Sequence, residues 1–228
     1  MTRVGGWLRS FLIEPADTVA DVASGRRRRV IAVVATLIAG TILLGLLLRV
    51  RPGNALFYPL ALLQAALWTV GGLCSGPIRL FRPPANRRPA ALAGLFTGLA
   101  LGAVFIVGAM IVRGVPVLHD AVTDVLQYAG GAAVTAATLV AVANGVAEEI
   151  FFRGAVFAAA TGHLPVVVST LVYTATTVAT GNLILVFAAI AVGLVLGLQR
   201  RATGDVLAPT ITHVTWSLLM LLVLPLFF

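Results

Sequence analysis

No lysine occurs in the 228 residues, so all 16 basic side chains are arginines, and charged residues of either sign make up only 11% of the chain. With 60% hydrophobic residues and a mean hydropathy of +1.04, the chain has too little polar surface to be a protein of water. A net charge of +8 would suggest a nucleic-acid partner if the arginines were clustered on one segment. They are instead spread through the gaps between apolar runs, which excludes nucleic acid and points to membrane orientation. A single cysteine, Cys74, excludes an internal disulfide, has no metal-ligand spacing around it, and is expected as a small buried apolar residue. The first 25 residues do not have the order of a signal peptide, because a short apolar patch precedes the arginine run. Trp7, Leu8, Phe11 and Leu12 at helical spacing predict an interfacial helix on the cytoplasmic face, with a disordered tail as the alternative.

What is present is long apolar runs, at about 30–48, 55–76, 90–112, 126–147, 164–180, 182–198 and 206–227. At roughly 20 residues per crossing they predict an all-α, polytopic transmembrane bundle of about seven spans in a lipid bilayer, with no soluble domain. The fifth and sixth runs join through Thr180, Gly181 and Asn182, a tight turn that predicts an antiparallel helical hairpin. In the third, Gly94, Gly98 and Gly102 form a smooth stripe at four-residue intervals, expected to pack inside the monomer. A Pro- and Arg-rich loop at 76–89 divides residues 1–89, an interfacial segment and an accessory hairpin, from a core at 90–228. Arg3, Arg9, Arg26 to Arg29, Arg79, Arg82, Arg87, Arg88, Arg200 and Arg201 fall in alternate gaps, and the opposite gaps carry only Arg49, Arg51 and Arg113. The positive-inside rule then puts the N-terminus in the cytoplasm and the C-terminus outside.

Glu148 and Glu149 are consecutive and flanked by membrane-type sequence. Near the bilayer centre an acidic side chain costs about 2.5 to 3.5 kcal/mol on insertion scales, so an adjacent pair implies function. On a helix Glu149 shares a face with Arg153 and pairs with it, while Glu148 points about 100° away and is left to face a cavity. That asymmetry suits a general acid or base; the alternative is a helix-end cap with Arg153 as counter-ion. The stretch after the pair, up to Ala160, either prolongs the fourth helix or forms a half-span. His213 lies deep in the last run, with Ser217 one turn on and on the same face. His119 and His163 fall in gaps and are expected in solvent.

Glu148-Glu149-Ile-Phe-Phe-Arg153 resembles the EExxxR motif of the CAAX-protease and bacteriocin-processing (CPBP, or ABI) family of intramembrane proteases. The resemblance runs from about Leu126 to Leu222 and includes the hairpin, Gly193 to Gly204, and Leu207 to His213, in order and spacing. Where the family's second motif, FxxxH, is expected, the chain reads Tyr173-Thr-Ala-Thr-Thr177, with threonine for histidine. Its third motif, HxxxN, reads His213-Val-Thr-Trp-Ser217, with serine for asparagine.

The resemblance implies an intramembrane endopeptidase of the bacterial plasma membrane that cleaves a membrane peptide or protein substrate. Glu148, Glu149 and His213 are then catalytic, and Arg153, Ser217, Thr177 and Tyr173 supporting. Glu148 would be the base on water, and His213, helped by Ser217, would polarise the carbonyl or stabilise the oxyanion. The family leaves two mechanisms open: a divalent metal such as zinc, here with Glu149 and His213 as ligands, or water activated by glutamate alone. Thr177 offers a hydroxyl in place of a base or a zinc ligand. That loss keeps two other readings in play: a catalytically silent relative that binds membrane peptides, and a transporter, since intramembrane Glu, Arg and His also line ion paths.

Overall fold

The computed structural model describes residues 23–51, 53–80, 84–127, 134–160 and 164–228. The interfacial helix expected around Trp7 lies outside them, as do Arg3, Arg9, Arg82 and His163. The described residues are helical, with no strand among them. In chain order they form α1 (Ala23–Leu47), α2 (Phe57–Cys74), α3 (Pro84–Val112), α4 (Pro116–Leu126) and α5 (Val134–Glu148). The last of these passes directly into a π-helix (Glu149–Val156) and a closing α-turn (Phe157–Ala159). Then come α6 (Pro165–Val178), α7 (Leu183–Thr203), α8 (Leu207–Leu222) and a 3₁₀ turn (Leu224–Phe227).

Among the described residues six helical stretches are long and apolar enough to cross a membrane: those of α1, α2, α3, α5 with its continuation, α7, and α8 with its 3₁₀ turn. The chain is a multi-pass membrane protein. Against the expectation of about seven spans, the fourth and fifth differ from the runs read in the sequence. The fourth starts later than expected and runs Val134–Ala159, taking in the residues beyond the glutamates. What remains for the fifth is α6, whose 14 residues reach only about 21 Å, short of the roughly 30 Å of hydrocarbon. Pro165 opens α6 at its first turn, where a missing N–H costs nothing. The hairpin turn is as expected: Gly181 takes φ 71°, and the Asn182 side chain accepts from the N–H groups of Ile184 and Leu185 at 2.9 and 3.2 Å.

Long-range contacts settle which ends lie together. At one end Arg29 donates to the Pro77 carbonyl at 3.0 Å and Arg200 to the Arg153 carbonyl at 2.8 Å. At the other, Asn182 donates to the Ala121 carbonyl at 2.8 Å, and the rings of His119 and Phe228 stack at 5.4 Å. The gap expected around His119 is therefore the helix α4, and His119 is half-buried rather than in solvent, because α4 lays its apolar face on the bundle end. Cys74 is also corrected: it is exposed at the end of α2.

The glycine stripe packs inside the monomer, against α8. A Cβ on Gly94 would lie 2.7 Å from the Ala208 carbonyl oxygen, one on Gly98 2.7 Å from Thr215 Cβ, and one on Gly102 would overlap Leu219. Without side chains there, the two backbones approach closely, and the Thr212 hydroxyl donates across the contact to the Gly94 carbonyl at 2.9 Å. This contact fixes the height of α8, and so of His213, in the bundle. The central apolar cluster joins Val33 of α1, Ala65 and Trp68 of α2, Ala147 of α5, and Phe151, Phe152, Ala155 and Val156 of its π-helical continuation.

Candidate active site

Glu148 and Glu149 stand at the junction of α5 and the π-helix, just past the middle of their 26-residue span. A π-helix is rare and occurs mostly as short wide turns at functional sites. Here it begins at Glu149, and Phe151 to Val156 are all buried within it. Arg153 Nη1 pairs with Glu149 Oε1 at 3.0 Å, and neither side chain has any exposed surface. The second guanidinium nitrogen, Nη2, donates to the Gly193 carbonyl of α7 at 3.1 Å. The guanidinium also lies over the Tyr173 ring, 4.9 Å from its centroid. The expected ion pair is thus real, and held from three directions.

His213, in the second turn of α8, comes to the pair from the opposite wall. Its Nδ1 is 2.8 Å from Glu149 Oε1, and its Nε2 is 3.9 Å from Glu148 Oε2. A carboxylate accepts only, so the Nδ1 hydrogen points at Glu149. One ring therefore meets both glutamates, although the two leave the helix in different directions. The two are unequal: Glu149 is closed off, while 19% of the Glu148 side chain is exposed, which leaves it the carboxylate that water can reach. The Tyr173 ring carries the Arg153 guanidinium and meets the His213 ring edge-on at 6.4 Å, so this residue of the altered second motif lies against the cluster.

The other two altered positions do not join the cluster. The Thr177 hydroxyl turns back along α6 and donates to the Tyr173 carbonyl at 2.9 Å. Among the described residues no hydrogen bond ties Ser217 to His213; Glu149 is the group that orients the ring. Sequence reasoning missed Gly193, whose carbonyl receives Arg153, and Arg200, whose Nε caps the Arg153 carbonyl. A helix glycine and an arginine beside Arg201 carried no signal of either role.

Residues 130–219, which contain every member of this cluster, match the family model described as type II CAAX prenyl endopeptidase Rce1-like. The matched stretch, 90 of the 228 residues, is similar to the CPBP family. No curated protein and no solved structure matches the chain. At family level the match supports a CAAX-protease-like membrane endopeptidase.

Catalytic zinc takes three protein ligands. Glu149 Oε1 is shared by Arg153 and His213, its Oε2 has no hydrogen-bond partner, and His213 Nε2 and the Glu148 carboxylate are the other donors at hand, while Thr177 is turned away. Among the described residues no group of three His, Cys, Asp or Glu side chains is arranged to hold a metal ion.

Proposed function

We propose that the protein is an intramembrane endopeptidase that hydrolyses a membrane-associated peptide or protein with water activated by Glu148. The observation that carries this reading is the meeting, at mid-span, of an accessible carboxylate, a closed carboxylate–guanidinium pair and an imidazole oriented by that pair. Arg153 and the His213 ring face the two glutamates, which offsets acidic charge in a medium where net charge is costly.

In this reading a water sits between Glu148 Oε2 and His213 Nε2, whose 3.9 Å separation lets one oxygen bond to both. Glu148 takes a proton from the water as its oxygen adds to the scissile carbonyl carbon. The carbonyl π electrons move to the oxygen, and the His213 Nε2 hydrogen bonds that oxyanion. On collapse the C–N bond breaks, and Glu148 passes the proton to the leaving nitrogen. An acid and an amine leave, and the carboxylate is restored. Arg153 pairs with Glu149, and Glu149 keeps the His213 ring in place. Low local dielectric makes each of these contacts worth more than it would be at a surface. The arginine-rich end of the bundle supports a cytoplasmic N-terminus, and the membrane in this reading is a bacterial plasma membrane.

The test is cleavage of labelled membrane peptides by purified protein in liposomes, for the parent and for Glu148→Gln. Loss of a general base lowers the rate by about 10² to 10⁴-fold, so the variant should fall to background. Cleavage that survives in Glu148→Gln would overturn this mechanism. The turned-away Thr177 favours a second reading, a peptide-binding relative without turnover, and binding without cleavage by the parent would establish it.

A further inference from the structure

Trp68 lies on α2, outside the matched stretch and in the hairpin that the sequence sets apart as accessory. Its indole is buried and stacks on Phe151, with ring centroids 4.6 Å apart and an interplanar angle of 28°. It also packs on Phe152 at 5.2 Å. Both phenylalanines belong to the π-helix, between Glu149 and Arg153. Phe152 in turn meets Tyr173 edge-on at 4.9 Å. Tyr173 carries on its ring the Arg153 guanidinium that pairs with Glu149. An unbroken aromatic path thus runs from α2 to the buried ion pair. Behind the indole stands Gly40 of α1, where a Cβ would overlap the ring, so the indole has no room to retreat.

A π-helix is less favourable than an α-helix and persists only where its surroundings hold it. Slipping to α-helical register would turn each later side chain about the helix axis and carry Arg153 away from the Gly193 carbonyl and the Tyr173 ring on the neighbouring helices. Two adjacent phenylalanines held by one indole oppose that slip. We propose that Trp68, braced by Gly40, is a positioning residue for the glutamate pair: it holds the π-helix register and, through Phe152 and Tyr173, the placement of Arg153. The α1–α2 hairpin is then part of the working site rather than an appendage. The activity arm of the test rests on the endopeptidase reading; the structural arm does not.

Full-length parent, Trp68→Leu, Trp68→Phe and Gly40→Ala are compared in lipid nanodiscs. One readout is kcat and KM for a labelled membrane peptide. The other is amide hydrogen exchange over residues 149–156, with the α3 segment around Gly98 as internal reference. Small misplacement of reacting groups costs on the order of 10²-fold, so Trp68→Leu should lower kcat by roughly ten- to hundred-fold and leave KM within about two-fold. Exchange should rise over 149–156 and stay unchanged around Gly98. Trp68→Phe, which restores a ring, should recover most of both. Gly40→Ala should reproduce the Leu pattern with the indole present, because it pushes the ring from behind. Unchanged exchange over 149–156, a rise of equal size around Gly98, or a kcat loss that phenylalanine does not rescue would overturn the proposal. If the parent and all variants fail to cleave, the endopeptidase reading fails, and the exchange data alone decide whether Trp68 holds the π-helix.

Discussion

Arg153→Ala is the most telling perturbation of the fold, because the side chain it removes is wholly buried and makes three contacts at once. The guanidinium lies 3.0 Å from Glu149, 3.1 Å from the Gly193 carbonyl and 4.9 Å from the Tyr173 centroid. Without it, Glu149 keeps only His213 as a cationic neighbour in a site with no exposed surface. Removing one partner of such a pair typically costs about 3 to 5 kcal/mol, because the other charge stays buried. That is a large share of a typical net stability of about 5 to 15 kcal/mol. Thermal unfolding in detergent should fall by on the order of 10 °C, and the amount of folded protein in the membrane should drop. Arg153→Lys should fall between the two, since an ammonium keeps the charge but loses the planar fork that serves Glu149 and Gly193 together. Arg153→Met combined with Glu149→Leu should recover much of the loss, as no lone charge remains. An Arg153→Ala protein that melts with the parent would refute the buried pair, and with it the reason for calling Glu148 the accessible member.

Restoring the family's side chains with Thr177→His and Ser217→Asn should raise peptide cleavage, since base and oxyanion contributions are each worth roughly 10² to 10⁴-fold; adding Glu148→Gln must erase the gain. Gly98→Leu should destabilise the protein by about 1 to 3 kcal/mol, or prevent folding, because a Cβ there would already lie 2.7 Å from Thr215 Cβ; equal melting of the variant would mean that α3 and α8 are not in contact. Reporter fusions at Pro84, Pro116 and Phe228 should read inside, outside and outside; a cytoplasmic reading at Phe228 would invert the proposed orientation.

Composition and run length alone decided that this chain is a helical membrane bundle, because a bilayer admits few ways of satisfying backbone polar groups and apolar runs of span length declare themselves. The glycine stripe and the Thr180–Asn182 turn were legible for the same local reason: each works through its own backbone. The Glu149–Arg153 pair was legible because four residues along a helix is a contact wherever the helix sits. Span boundaries were not, since the π-helix that carries the fourth span past Glu148 depends on neighbours from other helices. The partner of His213 was also beyond reach of the sequence. Ser217 shares its helix face, yet Glu149, 64 positions away, orients the ring, because the α3–α8 contact sets the height at which the imidazole meets α5. Local spacing fixes which side chains share a face; only the packing of one helix on another decides what that face meets.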